Sequence, residues 1–159
     1  MLAALGVVLL CLGSFIEVVD ISMAVVASLF CVFAVIEYGK SAPWLVFGVT
    51  AVISLVIIPL NSPAIMYTLF FGYYPILKEK FEKLRAVTSW VLKELVFNVA
   101  LALMLVSLKL IIFPTLDIPF MLYLLVVLVC EVVFVIYDFA LTRLISLYVY
   151  RLRKRFRIK

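Results

Sequence analysis

Long apolar runs alternate with short polar breaks along the chain, and this pattern predicts six helices. The breaks contain the residues Glu17 and Asp20 and the segments 37–40, 61–63, 78–85 and 114–119. No segment alternates polar with apolar positions, so the pattern indicates membrane helices and not barrel strands. The predicted fold is an all-α integral membrane protein, a single six-helix domain over residues 1–159, with spans at about 2–16, 21–37, 42–60, 62–77, 88–113 and 118–141.

Composition supports this interpretation. Apolar residues make up 69% of the chain and charged residues 14%, with a mean hydropathy of +1.35. Water-soluble domains are about 45–50% apolar and about 25% charged. A water-soluble globular protein is therefore excluded.

The first and last runs depart from the usual span length. Residues 2–16 reach only about 22 Å as a helix, so a cleaved signal peptide is an alternative. The run lacks a basic beginning and a small-residue cleavage site before Glu17, which favours a retained short helix. From Ile118 to Tyr150 a helix would extend about 50 Å, so its end must leave the hydrocarbon.

Lysines and arginines predict the orientation. If the N-terminus is cytoplasmic, every basic break and the basic tail from residue 143 fall inside, and only Lys109 falls on the outer half. We therefore expect a multi-pass protein of a bacterial cytoplasmic membrane with both termini inside. The tail predicts binding to anionic inner-leaflet lipids or to a partner, and its plainer role is a topology anchor; its basic residues are Arg151, Arg153, Lys154, Arg155 and Arg157.

Candidate chemistry is sparse. Histidine is absent and the three cysteines are isolated, so we expect no enzyme, no metal site and no cofactor. Glu131 and Asn98 fall at similar depths on antiparallel helices, with Glu94 and Asp138 on the same faces. This polar column predicts either a site for a substrate, cation or proton, or structural hydrogen bonds between helices. In the structural alternative, Asp138 pairs with Lys93 or Arg143.

The fourth run carries a packing signal. Ala64, Thr68 and Gly72 recur every four residues, a stripe that allows another helix to approach closely. It predicts a seam within the bundle or a docking face for another membrane protein. The mixed charges of residues 78–85 predict a solvated cytoplasmic extension of this helix.

Residues 71–78 (FGYYPILK), 90–93 (WVLK) and 97–98 (FN) resemble a group of uncharacterised small bacterial membrane proteins. The whole architecture is similar to the substrate-capture (S) components of energy-coupling-factor transporters, which implies an outward ligand pocket and a partner membrane subunit. The small-residue docking motif of those components is incomplete, because Ala4 is followed by Val8 four positions on. The chain also resembles the MreD family of rod-shape scaffolding proteins, which implies no ligand.

We expect a small-molecule capture or transport component, and the alternative is a scaffold. A capture component should have a polar pocket open to the outside. The candidate lining residues are Asn61, Tyr67, Lys109, Asp117 and Tyr123. Nucleic acid is not an expected partner.

Overall fold

The computed structural model describes residues 1–39, 41–59, 61–107 and 120–152, and these residues form helices and turns without strands. The all-helical prediction is confirmed for this part of the chain. The helices are α1 (Leu2–Phe15), α2 (Asp20–Glu37), α3 (Ala42–Ile57), α4 (Ser62–Met66), α5 (Tyr74–Phe81), α6 (Ala86–Ser107) and α7 (Phe120–Leu147); a 3-10 turn covers Glu17–Val19, and π turns cover Tyr67–Phe71 and Tyr148–Leu152.

Three described helices are long and apolar enough to cross a membrane. These segments are Asp20–Glu37, Ala86–Ser107 and Met121–Tyr150. The apolar helices α1 and α3 are shorter, at 14 and 16 residues. By length and composition these three helices are candidate membrane spans, and the total of six spans remains a prediction.

The chain divides into two compact units, Met1–Pro114 and Thr115–Lys159. In the first unit α1 packs along α2, and α3 packs against both. The segment from α4 to α5 packs across α2, and α6 packs against α5 and the Tyr67–Phe71 turn. The second unit contains α7 and the π turn that continues it.

The core of the first unit lies where α1, α2, α3 and the Tyr67–Phe71 turn meet. Small side chains on one face of α2 allow the close approach of its neighbours. The buried residues of this core are Leu10, Ala24, Ala27, Cys31, Ala51 and Tyr67. All of them are at most 5% exposed, so this part of the unit is closed.

Successive turns of the first unit lie at alternate ends. At one end a Cβ on Gly13 would lie 2.9 Å from Met23 Cβ and 3.6 Å from Pro63 Cβ, so the turns after α1 and α3 meet there. At the other end Met1 and Tyr38 line one groove with Ala42. Lys80 Nζ lies 5.8 Å from the ring centre of Trp44 in the first turn of α3, so residues 78–85 are also at this second end, which we call the basic end.

The helix bounds differ from the predicted spans where proline intervenes. α3 ends at Ile57, two residues before Pro59, and not at residue 60. The fourth run is not one helix, because Pro75 cannot donate a backbone hydrogen bond and its ring clashes with the preceding turn. A π turn and a new helix beginning at Tyr74 replace the uniform helix over 62–77, and α5 continues to Phe81.

The last two described helices extend beyond the bounds of their predicted spans. α6 begins at Ala86, two residues before the predicted start, and is described to Ser107. α7 extends to Leu147 and continues as a π turn to Leu152. The prediction that the sixth helix continues beyond the end of its span at residue 141 is therefore confirmed for the described residues.

Candidate functional site

A buried charged cluster at the basic end joins α5 to α6. Lys78 is 1% exposed and Lys93 is 5% exposed. Lys78 Nζ lies 2.9 Å from Glu82 Oε1, and Lys93 Nζ lies 3.5 Å from the same oxygen. One carboxylate oxygen therefore contacts two buried ammonium groups, and we call these three residues the Glu82 cluster.

Aromatic rings adjoin the Glu82 cluster. Lys93 Nζ lies 5.3 Å from the centre of the Trp90 ring. One turn further along α6, the Phe97 ring lies 5.3 Å from that of Phe70, which lies 4.8 Å from that of Tyr74. Glu82 itself has a side chain that is 42% exposed. The cluster thus lies between packed rings and an opening to solvent.

The spacing of residues on α6 explains why a lysine is buried there. The buried positions Ser89, Lys93, Phe97 and Ala100 recur every three or four residues and form one helix face. A lysine on such a face buries its aliphatic stem and directs the ammonium group to a polar partner. Glu82 is one such partner, because it follows the end of α5 and its carboxylate reaches Lys93 across the turn.

The region around the cluster is basic. Residues 78–94 contain the five basic side chains of Lys78, Lys80, Lys83, Arg85 and Lys93 against three glutamates. Ammonium groups bind carboxylate and phosphate oxygens through charge-assisted hydrogen bonds. The arrangement is suited to an anionic group and unsuited to a metal ion.

The predicted polar column is distributed over the two units. Asn98 is exposed on α6, and its amide donates to the Glu94 carbonyl at 3.0 Å, within its own helix. On α7, Asp138 is buried and Glu131 is partly buried. Glu94 and Asn98 belong to the first unit, and Glu131 and Asp138 belong to the second. The contact between Asn98 and Glu131 therefore stays a prediction.

The predicted pocket residues have varied environments. Tyr67 is fully buried, and its hydroxyl lies 3.2 Å from Cys31 Sγ, so it forms part of the core. Asn61 is partly buried, and Tyr123 on α7 is 43% exposed. The other two candidates, Lys109 and Asp117, lie outside the described residues.

The small-residue stripe lies within the packing of the first unit. Ala64 and Gly72 are buried, and the Thr68 hydroxyl donates to the Ala64 carbonyl at 2.8 Å. A Cβ at Gly72 would lie 2.5 Å from Phe47 Cδ2 on α3. Of the tail residues, the Arg151 side chain and all of Arg153, Lys154, Arg155 and Arg157 lie outside the described part of the chain, so docking by the tail stays a prediction.

Two shallow surface grooves are lined mainly by apolar side chains. One has a volume of about 430 Å³ along α3, between Trp44 and Ile53. The other has about 420 Å³ and is lined by residues of α1 and α3 together with Tyr38. Neither supplies the polar lining expected of a pocket for a polar molecule.

The sequence prediction missed the Glu82 cluster. It placed Lys78 and Glu82 in a solvated extension of the fourth helix. It used Lys93 only as one of the basic residues that predict the orientation of the chain in the membrane. A signal is present on α6, where Lys93 is spaced four residues from both Ser89 and Phe97 on the face that becomes buried. Lys78 gives a weaker signal, directly after Ile76 and Leu77.

Comparisons with protein-family models, curated proteins and solved structures gave no match. Within the described ranges, no group of three or more His, Cys, Asp or Glu side chains could hold a metal ion. The functional argument therefore depends on the geometry of the Glu82 cluster.

Proposed function

We propose that the protein is a membrane-embedded capture or transport component for a small molecule, working with partner subunits and without catalytic activity of its own. The Glu82 cluster is the observation that carries this proposal. Two lysines that are 1% and 5% exposed are held in a unit of predominantly apolar helices. Such groups are costly in a membrane protein and characteristically mark ion or substrate pathways.

The energetics favour a role beyond stability. Burying an ion pair costs several kcal/mol per ion through desolvation, and apolar residues of similar volume frequently stabilise a protein as well or better. Two ammonium groups beside a half-exposed carboxylate can exchange that carboxylate for an anionic group of a ligand. A small molecule with a carboxylate or phosphate group is the ligand class that fits. Because the Glu82 cluster lies at the basic end, the proposed binding site is there and not in the outward-facing pocket expected from the sequence.

The second candidate is a scaffolding protein without a ligand. The closed core of the first unit and its apolar grooves favour this candidate. In a scaffold, the Glu82 cluster would serve to fix α5 against α6.

Native mass spectrometry of the gently extracted full chain distinguishes the two candidates. The variant Lys78→Met/Lys93→Met removes both buried charges, and Lys80→Met/Lys83→Met is the matched control with exposed charges. A capture component retains a small-molecule mass other than phospholipid in the wild type and the control, loses it in the buried variant, and keeps its thermal stability. A scaffold shows no mass other than phospholipid in any form, and the buried variant melts at a lower temperature.

For membrane placement, we propose six spans with both termini on the cytoplasmic side of a bacterial cell membrane. The alternating ends of the first unit support this topology. The basic end carries the lysine-rich segment 78–85, and Asp20 lies at the opposite end, so the positive-inside rule assigns the basic end to the cytoplasm. Anionic inner-leaflet lipids at the tail and another membrane subunit are the proposed partners.

Helix length bears on this topology. At 1.5 Å per residue, α1 and α3 reach only about 21 and about 24 Å, compared with a hydrocarbon core of about 30 Å. Short helices are accommodated by local thinning of the bilayer or by residues that reach to the interface. The proposed bundle therefore requires local thinning of the bilayer around α1 and α3, or residues at their ends that reach to the interface.

A further inference from the structure

Both tryptophans of the chain lie near its lysine-rich segment, and each has a lysine ammonium group close to its ring. Trp44 is in the first turn of α3 and 40% exposed, with Lys80 Nζ 5.8 Å from its ring centre. Trp90 is near the start of α6 and 37% exposed, with Lys93 Nζ 5.3 Å from its ring centre. Both distances are in the range of cation–π interactions, so each tryptophan ring attracts the ammonium group of a lysine.

The contacts between α5 and α6 place Lys80, which contacts the Trp44 ring, at a similar level to Trp90. Phe70 contacts Phe97 while Glu82 contacts Lys93, so the two chain segments run in opposite directions. Lys80 lies about 3 Å beyond Lys78 along α5, and Trp90 lies about 4.5 Å before Lys93 along α6. Both displacements lead away from the packed rings and toward the turn at residues 82–85.

The side chains around this turn have the chemistry of a bilayer interface. Lys80, Lys83 and Arg85 are exposed, as are the apolar Leu84 and Val87. Tryptophan rings settle at the level of lipid headgroups, and basic side chains at that level attract anionic lipids. We call Trp44, Lys80, Lys83, Arg85 and Trp90 the tryptophan surface.

We propose that the tryptophan surface binds the phosphate-bearing headgroup of an anionic phospholipid. Lys80 and Arg85 supply the charge, and Trp44 supplies a ring that orders the headgroup region. This site is separate in sequence from the basic tail. It is compatible with either candidate function, because it concerns the contact of the first unit with the bilayer and not the buried lysines.

Intrinsic fluorescence tests the proposal directly, because Trp44 and Trp90 are the two tryptophans in the chain. The full chain carrying Trp90→Phe, with Trp44 as reporter, is reconstituted in phosphatidylcholine vesicles. Each preparation contains the same small fraction of either brominated phosphatidylglycerol or brominated phosphatidylcholine. We expect stronger quenching by the brominated phosphatidylglycerol, and a preference that falls as salt screens the charges.

Charge variants locate the site. Adding Lys80→Gln to the reporter chain should weaken the preference about fivefold, and Arg85→Gln should have a similar effect. Removing two tail charges with Arg153→Gln/Arg155→Gln should leave the preference at Trp44 unchanged. Circular dichroism of each variant checks that its helices are intact.

Three results would overturn the proposal. The first is equal quenching by the two brominated lipids, and the second is loss of the preference in the tail variant with retention in Lys80→Gln. The third is that inorganic phosphate lowers the preference for brominated phosphatidylglycerol more than chloride does at equal ionic strength. That result would indicate a site for a free anion and not for a lipid.

Discussion

Glu82 is the residue on which the candidate site depends, since one of its oxygens contacts both buried lysines. A carboxylate at this position stabilises two charges that the packing has largely removed from water. Glu79, one turn earlier along the chain, forms an ion pair with the exposed Lys83 at 2.7 Å. The two glutamates therefore offer a matched comparison between a buried and an exposed ion pair.

We expect Glu82→Gln to destabilise the protein by about 1–3 kcal/mol. The value is below the 3–5 kcal/mol of fully buried pairs because solvent reaches the Glu82 side chain. Glu79→Gln should change stability by at most about 0.5 kcal/mol, as exposed ion pairs do. Unfolding of both variants in detergent measures the difference, and equal losses would contradict the structural role of Glu82.

Gly72 supports a prediction about close packing. It has ordinary helical dihedral angles, so a larger residue would suit its backbone, but a Cβ would lie 2.5 Å from the Phe47 ring. We expect Gly72→Ala to cost about 1–3 kcal/mol through overpacking. Gly48→Ala on α3 is the control, because nothing lies within 4 Å of its added Cβ, and it should be neutral or stabilising by up to about 1 kcal/mol.

A thermal melt of each glycine variant provides the measurement. The double variant Gly72→Ala/Phe47→Leu should recover part of the loss, because leucine removes the ring that the new methyl group meets. A stable Gly72→Ala protein would show that the ring can move aside.

Among the elements, the fourth run shows what hydropathy can and cannot predict. Its beginning was predicted from Asn61, Ser62 and Pro63, and α4 begins there. The π turn at Tyr67–Phe71 was not predicted, because hydropathy depends on which residues are apolar and a π turn does not change them. The extra residue in the turn changes only the directions in which the following side chains point. That change decides which ring of the aromatic run contacts α6.

Phe70 should therefore be the main apolar link between the π turn and α6. It is 2% exposed and contacts the rings of both Phe97 and Tyr74. We expect Phe70→Ala to cost about 3–5 kcal/mol, and the partly buried Phe71→Ala to cost less. A double-mutant cycle with Phe97→Ala, followed by unfolding, should give a coupling of about 0.5–1.5 kcal/mol. Zero coupling would mean that the two rings contribute independently.

At the scale of the molecule, composition predicted the fold class, and the polar breaks predicted most helix starts within about two residues. The Glu82 cluster could not be predicted in this way. It depends on a four-residue turn that brings Glu82 beside Lys93, and hydrophobic periodicity does not encode the conformation of a turn. Periodicity also did not show which face of α6 is buried. Lys93 and Glu94 are adjacent charged residues, and only Lys93 is buried.

The proposed topology predicts which turns can be labelled from outside the cell. After replacement of Cys11, Cys31 and Cys130, we expect single cysteines near Asp20, Asn61 and Thr115 to react with an impermeant maleimide on intact cells. Cysteines at Lys40, Lys83 and Lys154 should react only after the membrane is permeabilised. Lys83 is used because it is exposed and leaves the Glu82 cluster intact.

The physical basis is the placement of charge, since basic segments are retained on the cytoplasmic side during insertion. In the first unit the turns at Asp20 and Asn61 lie at one end and the lysine-rich turn at the other. The labels near Asp20 and Asn61 should therefore agree with each other and give the opposite result to the label at Lys83. Labelling of Lys83 from outside would contradict six spans with the basic end inside. Outside labelling of the N-terminus, with the other positions unchanged, would show that α1 does not cross and would reduce the number of spans to five.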